Sequence, residues 1–475
     1  MSVSITRRNA LALLAAAASA PRAWASQGVA LASEARISGS LGFIAMDLVT
    51  GETLESLNAD AGFAPASVAK IPTALFALDT LGPDWRFETR AVARGAMRDR
   101  TLRGALALIG GGDPEFDSAD VAALAEQAAG TVSRLEGAVA ADAGAVVPMI
   151  DDSQPPQAAY NPAVAALNLN FNRVWLTWAR DGGRVVPAIE AHAAGWSPQV
   201  ASVGLALEGD DCGCPPFTHV VDPTGESWRV RRSLLQGEGG VWLPVRAPEP
   251  YAAEVFRTAL RRAGVEIADQ PARLEGPATV LARRLSRPLK PMLRDMLKHS
   301  TNLTAEALGR AAAAARGVAA ADLAQSAAAM NLWAAERGGF APGDGFNLAN
   351  HSGLSPDSRV TPRRMAQIVR AAALSADGAL MKLLPEHSVD ERKERAPKGS
   401  LVLAKTGTLD FVRGLAGLAV APSGRTTVFA IFANDLAARD ATRGMGAAPP
   451  GARPWRNRAI VLERRLVRSW LSRFA

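Results

Sequence analysis

Leu41-Gly42-Phe43-Ile44-Ala45-Met46-Asp47-Leu48, followed by the turn Thr50-Gly51-Glu52 and the return Thr53-Leu54-Glu55-Ser56-Leu57, reads as a β-hairpin near the start of the chain. Just downstream, Pro65-Ala66-Ser67-Val68-Ala69-Lys70 opens an apolar-periodic segment. It runs to about Leu81 and stops at Gly82-Pro83, so a helix begins at or just before Ser67. Ser67 and Lys70 are three residues apart and share one helix face. At the far end, Leu401 to Ala404 reads as a strand leading into Lys405. Leu415 to Val420 and Thr427 to Ala433 form a second hairpin about Pro422-Ser423-Gly424. A helix from about Asn457 to Phe474 closes the chain. Strands at both ends flank a helical middle, so the first hairpin is expected to join the last three strands in one antiparallel sheet with helices on both faces. The fold class is α/β (α+β), assembled from both chain ends.

The helical middle resumes after Pro288 through Met292, Leu293, Met296 and Leu297 to His299. Ser300-Thr301-Asn302 interrupts it, and a further helix begins near Thr304. From about 91 to 285 the texture changes to short strands, turns and brief helices, with a turn cluster at Gly110-Gly111-Gly112-Asp113-Pro114. At 475 residues the chain exceeds one ordinary core. The expected organisation is a segment 1–25 for export, a discontinuous catalytic domain from 26–90 and 286–475, and two smaller β-rich accessory domains inserted over 91–285.

Thr6-Arg7-Arg8-Asn9, the apolar run Ala10 to Ala20 and the small-x-small Ala23-Trp24-Ala25 match a signal peptide, by either the twin-arginine or the ordinary secretory route. Export places the chain in the periplasm. With 48% hydrophobic and 21% charged residues the composition is that of a soluble protein. The net charge of +7 comes with no nucleic-acid-binding signature, so it reads either as a solvated face with no dedicated partner or as suited to anionic wall polymers or lipid headgroups. Cys212 and Cys214 lack a four-ligand zinc set; they are either a local disulfide or two free thiols.

Arginine is the default cation: of 53 Lys and Arg residues only seven are lysines, at 70, 290, 298, 382, 393, 398 and 405. A lysine is needed where an amine must lose its proton or act as a compact point charge. Lys70 ends Ser67-Val68-Ala69-Lys70, and Lys405 opens Lys405-Thr406-Gly407-Thr408. The other five sit in contexts suited to surface cations. Serine needs a base, an oxyanion hole and a means of fixing substrate. Lys70 can be that base if burial and a neighbouring positive charge such as Lys405 lower its pKa. S-x-x-K and S-x-N are weak signals, whereas K-T-G is expected only about 0.03 times by chance in this composition.

Ser67-x-x-Lys70, Ser300-x-Asn302 and Lys405-Thr406-Gly407, in that order, resemble the penicillin-binding protein and serine β-lactamase superfamily. The wide gap between the first two looks like the class C low-molecular-mass D-alanyl-D-alanine carboxypeptidase/endopeptidases. Leu108 to Pro114, Leu293 to Glu306, Ser352-Gly353-Leu354-Ser355 and Arg359-Val360-Thr361-Pro362 are similar to the same family. Departures are Asn350-His351 before Ser352, and Asp410 after Leu409. The resemblance implies that Ser67 is acylated with Lys70 taking its proton, and that Ser300 relays a proton to the departing amine. Asn302 would then hydrogen-bond the substrate amide, and Lys405 and Thr406 would hold the terminal carboxylate. Backbone N–H groups of Ser67 and Thr408 would form the oxyanion hole, and Gly407 would permit close backbone approach. It further implies peptidoglycan stem peptides as substrate, β-lactam antibiotics as covalent inhibitors, and no metal or organic cofactor.

Other readings fit the same residues. Ser67 can be a helix N-cap, Asn302 a cap before Thr304, Lys405 a strand-edge charge, and Ser300 a loop hydroxyl. His299 reads as a helix-end residue and Asp113 as a turn residue. A β-lactamase or esterase on the same scaffold, or a non-catalytic cell-wall binding protein, are the alternative functions. The terminal helix carries Ile460, Leu462, Leu466, Val467, Trp470, Leu471 and Phe474, which suits packing on the sheet or, at most, a peripheral membrane contact. Oligomeric state is open.

Overall fold

The computed structural model describes residues 27–222, 225–268, 270, 277–375, 378–445 and 449–474; the expected signal segment 1–25 lies outside them. Two compact units are present. The first takes in the described residues within Met1–Phe76, Leu293–Ser300 and Ala327–Ala475, and the second those within Ala77–Met292 and Thr301–Ser326.

The first unit is built on an antiparallel five-stranded sheet in the order Leu401–Leu409, Val412–Val420, Thr426–Asn434, Ser40–Asp47, Thr53–Leu57. The first hairpin therefore joins the last three strands, as the sequence pattern requires. Alternation along each strand divides the side chains between two faces. Phe43, Leu415, Phe429 and Ile431 share a core with Leu462, Leu466, Val467, Trp470 and Leu471 of the terminal helix. Gly42, Gly414 and Phe432 face the other way, toward Phe63 and Val68 beside the nucleophile. There the helix Pro362–Ala373 packs on the same central strands. The apolar stripe of the terminal helix is thus buried in the protein, which excludes the membrane-surface reading. Among the described residues no helix is long and apolar enough to cross a membrane.

Two elements are longer than their local sequence suggests. The terminal helix begins at Ala452, because Pro454 lies in its first turn, where the missing N–H costs no intrahelical bond. The strand entering Lys405 continues through the glycine to Leu409, held by a complete ladder to Val412–Val420.

In the second unit a five-stranded sheet orders Glu266–Ile267, Arg134–Asp142, Thr101–Ile109, Glu88–Arg98 and Ala278–Leu285. Helices Ser118–Ala129 and Pro248–Arg262 share one core with it. Two three-stranded sheets accompany it, Val203–Glu208/Gly225–Arg231/Phe217–Asp222 and Gly239–Pro244/Arg173–Asp181/Arg184–Glu190. Cys212 and Cys214 are disulfide-bonded, which resolves the open choice between a bridge and free thiols.

Candidate active site

Ser67 sits in a single 3-10 turn, Ala66–Ala69, that runs directly into the helix Lys70–Leu81. The N-cap is Pro65 with no side-chain cap bond, so the hydroxyl of Ser67 is not consumed in capping. Ala66, immediately before it, has φ of 46°, a left-handed conformation that is costly for a residue with a Cβ. Ser67 is half-buried between buried neighbours.

Lys70 is fully buried, at 0% exposure. Its Nζ donates to Ser67 Oγ at 2.9 Å and to the Ser352 carbonyl at 2.8 Å. The second contact comes from the Ser352-Gly353-Leu354 turn, which is pressed against the nucleophile segment. Gly353 has φ of +71°, and a Cβ there would stand 2.0 Å from the Ala66 carbonyl. Thr73, one turn along the helix, donates to the His351 carbonyl at 2.7 Å and fastens the same turn. Sequence reasoning gave Ser352 no role, because it acts through a main-chain carbonyl that any residue type carries.

The K-T-G strand meets Ser67 at Gly407. A Cβ on Gly407 would lie 2.4 Å from the Pro65 carbonyl and 3.0 Å from the Ser67 nitrogen, so only glycine lets the strand come this close. Lys405 is 3% exposed, which rules out the strand-edge-charge reading. Its Nζ donates to the Thr406 carbonyl at 2.9 Å. Burial, and then the Arg413 guanidinium, push its pKa down to about 8.

Thr408 is exposed and stands opposite Arg413 in the ladder. Arg413 Nη1 donates to Thr408 Oγ1 at 2.7 Å, and Arg413 Nε donates to both carboxylate oxygens of Glu463 at 3.0 and 2.9 Å. Burial pushes the Glu463 carboxyl upward, opposed by Arg413. Since the guanidinium only donates, the Thr408 hydroxyl must turn its hydrogen elsewhere, leaving it a donor toward solvent or substrate. Neither Arg413 nor Glu463 is suggested by the sequence; they lie among 46 arginines and in a helix otherwise read for its apolar stripe.

Ser300 ends the helix Leu289–His299 with φ of 60°, and its N–H donates to the Met296 carbonyl. His299 is the last helical residue, as its context suggests. Asn302 belongs to the second unit as the first residue of the helix Asn302–Ala315, whose N-cap is Thr301. Its Nδ2 donates to the Tyr160 carbonyl at 2.9 Å, so it does not act as the cap. Asp113 in that unit is a turn residue: its carboxylate accepts from Glu115 N, and burial raises its pKa to about 6.

A serine and a buried lysine one helical turn apart, with a K-T-G strand seated on the serine's nitrogen, stand on an antiparallel sheet between helices. The fold class is that of the penicillin-binding proteins and serine β-lactamases. Over residues 28–448 the chain matches the D-Ala-D-Ala carboxypeptidase 3 (S13) family, and it belongs to that family. It is 26% identical over 422 residues to D-alanyl-D-alanine carboxypeptidase DacB of Haemophilus influenzae, covering 84% of this chain and 86% of the relative. Against D-alanyl-D-alanine carboxypeptidase of Actinomadura sp. (strain R39) it is 27% identical over 409 residues, 81% of this chain and 76% of the relative. Its fold matches the crystal structure of penicillin binding protein 4 (dacB) from Haemophilus influenzae with a TM-score of 0.71, covering 94% of this chain and 99% of the other at 23% identity. The serine-type carboxypeptidase reading of the sequence therefore stands.

Proposed function

We propose that Ser67 is the acylated nucleophile of a D-alanyl-D-alanine carboxypeptidase acting on peptidoglycan stem peptides, with endopeptidase action on cross-links as a second activity. The observation that carries this reading is the Lys70 Nζ–Ser67 Oγ contact of 2.9 Å, made by a lysine with no exposure. A buried amine is held neutral more readily than an exposed one and can then accept the hydroxyl proton.

Ser67 Oγ attacks the penultimate D-alanine carbonyl while its proton passes to Lys70. The oxyanion is met by the N–H groups of Ser67 and Thr408, and Asn302 holds the substrate amide. Lys405 and Thr406 take the terminal carboxylate, with Gly407 allowing the strand to approach. Collapse of the tetrahedral intermediate breaks the peptide bond, and Ser300 relays a proton to the departing D-alanine amine. Water then attacks the ester and regenerates the Ser67 hydroxyl. β-Lactams enter the same sequence and remain as the acyl-enzyme. The stretch 91–285 is read as accessory to this chemistry, and residues 1–25 as an export signal. Release of D-alanine from a pentapeptide by the wild-type protein, lost in Ser67→Ala, tests the reading. Undiminished release by that variant would overturn it.

A further inference from the structure

A cavity of about 530 Å³ in the first unit opens beside Lys405 and Thr406. Four cations line it, Arg294, Lys298, Lys382 and Lys405, against one carboxylate, Glu386. His387 adds no negative charge, and burial together with Arg413, Arg464 and Lys405 pushes its pKa down to about 4, so it stays neutral near pH 7. The makeup of this wall is unusual for the chain. Lysine supplies seven of 53 cations overall, yet three of the four here.

The position of the cavity follows from how the strand edge is covered. The segment Pro385–His387 runs along the outer edge of Leu401–Leu409: Ala404 N donates to the Pro385 carbonyl at 3.0 Å, and His387 N to the Val402 carbonyl at 2.8 Å. These contacts stop at Ala404, short of Lys405-Thr406-Gly407-Thr408. A substrate on the remaining edge has its scissile carbonyl at Ser67 and Thr408 and its terminal carboxylate at Lys405 and Thr406. Ala404, Lys405 and Thr406 line the cavity, so it adjoins the residues assigned to that carboxylate, and the carboxylate belongs to the leaving group. D-alanine brings one carboxylate, for which Lys405 and Thr406 suffice. Arg294, Lys298 and Lys382 are surplus to it, and all three are exposed to an incoming ligand.

We propose that this cavity is the leaving-group subsite for a polyanionic amine component, the second stem peptide of a cross-linked dimer with its own free carboxylates. The proposal rests on the reading of Ser67, Lys405 and Thr408 given above. Lysines suit the task because an ammonium on a flexible stem can follow carboxylates at differing positions, where a planar guanidinium demands a fixed bidentate geometry. The cationic wall also raises the local concentration of an anionic leaving stem.

The test compares the wild-type protein with Lys298→Ala/Lys382→Ala on two substrates, a monomeric pentapeptide and a cross-linked peptide dimer. For the dimer, kcat/KM should fall by about tenfold, the size expected of two exposed charge contacts. D-alanine release from the monomer should fall less than about twofold by the same reasoning. A dimer whose leaving stem has amidated carboxylates should lose a similar factor with the wild-type protein and be indifferent to the lysine substitutions. Equal changes on both substrates, no change on either, or a wild-type protein that releases D-alanine but leaves the dimer intact would overturn the subsite. A wild-type protein that neither releases D-alanine nor takes up penicillin would overturn the Ser67 reading beneath it.

Discussion

Arg413 and Glu463 form a buried, doubly hydrogen-bonded ion pair, at 7% and 3% exposure, that ties the terminal helix to the strand carrying Thr408's partner position. Removing one partner strands the other charge in a low-dielectric interior, which costs about 3–5 kcal/mol. Glu463→Leu and Arg413→Met are each expected to show a loss of that order in urea unfolding. The double variant should recover most of it, because an apolar pair of similar volume removes both desolvation penalties. A double variant no more stable than the singles would contradict this.

Lys405 sets an alkaline limit on recognition. Its value falls from 10.5 to about 8, so the folded protein releases this proton in a window where the unfolded chain keeps it. The unfolded state binds more protons there, so Lys405 contributes a stability that grows as pH rises from about 8 to 10.5. Carboxylate binding needs the ammonium and moves the other way. The second-order rate constant for acylation should drop as pH rises through about 8. Lys405→Arg, whose charge does not titrate there, should act more slowly but without that inflection; a wild-type profile flat to pH 10 would contradict the assignment.

Gly407→Ala tests the close approach of strand and nucleophile. The two nearest atoms met by the added Cβ are backbone, the Pro65 carbonyl oxygen and the Ser67 nitrogen, so neither can swing aside. The strand and the turn must separate, and a displacement of about 1 Å at a reacting group costs on the order of 10²-fold in rate. Acylation should slow by that factor, and the melting temperature should fall as well, because overpacking a buried contact typically costs about 1–3 kcal/mol. Unchanged acylation kinetics would show that the approach is not needed.

Lys70→Met and Lys70→Arg should both slow acylation by about 10²- to 10⁴-fold, the usual worth of a positioned base. Arginine is as poor as methionine here because it does not give up its proton near neutral pH. Stopped-flow acylation measures both, and near-wild-type rates in Lys70→Arg would assign the lysine a purely electrostatic role.

Much of the first unit was legible because its strands and helices follow simple periodicities. The hairpin at Leu41–Leu57, the helix after Ser67 and the closing hairpin all fall within a residue or three of their expected bounds. The lysine scarcity pointed to Lys70 and Lys405, and both are buried. What the sequence hid depends on long-range pairing or on main-chain atoms. The K-T-G strand persists past its glycine because a neighbouring strand holds it. Ser352 serves through a carbonyl, and Arg413 gains meaning only once the ladder places it opposite Thr408. Lys298 and Lys382, read as ordinary surface cations, line one cavity with Lys405, a grouping visible only in three dimensions.

Ser67 is the proposed nucleophile on which the chemistry depends, and the most direct measurement is mass mapping after incubation with a labelled penicillin. A single covalent adduct on the peptide containing Ser67, absent in folded Ser67→Ala, is the predicted result. No adduct on the folded wild-type protein, or an adduct on another residue that persists in Ser67→Ala, would contradict it.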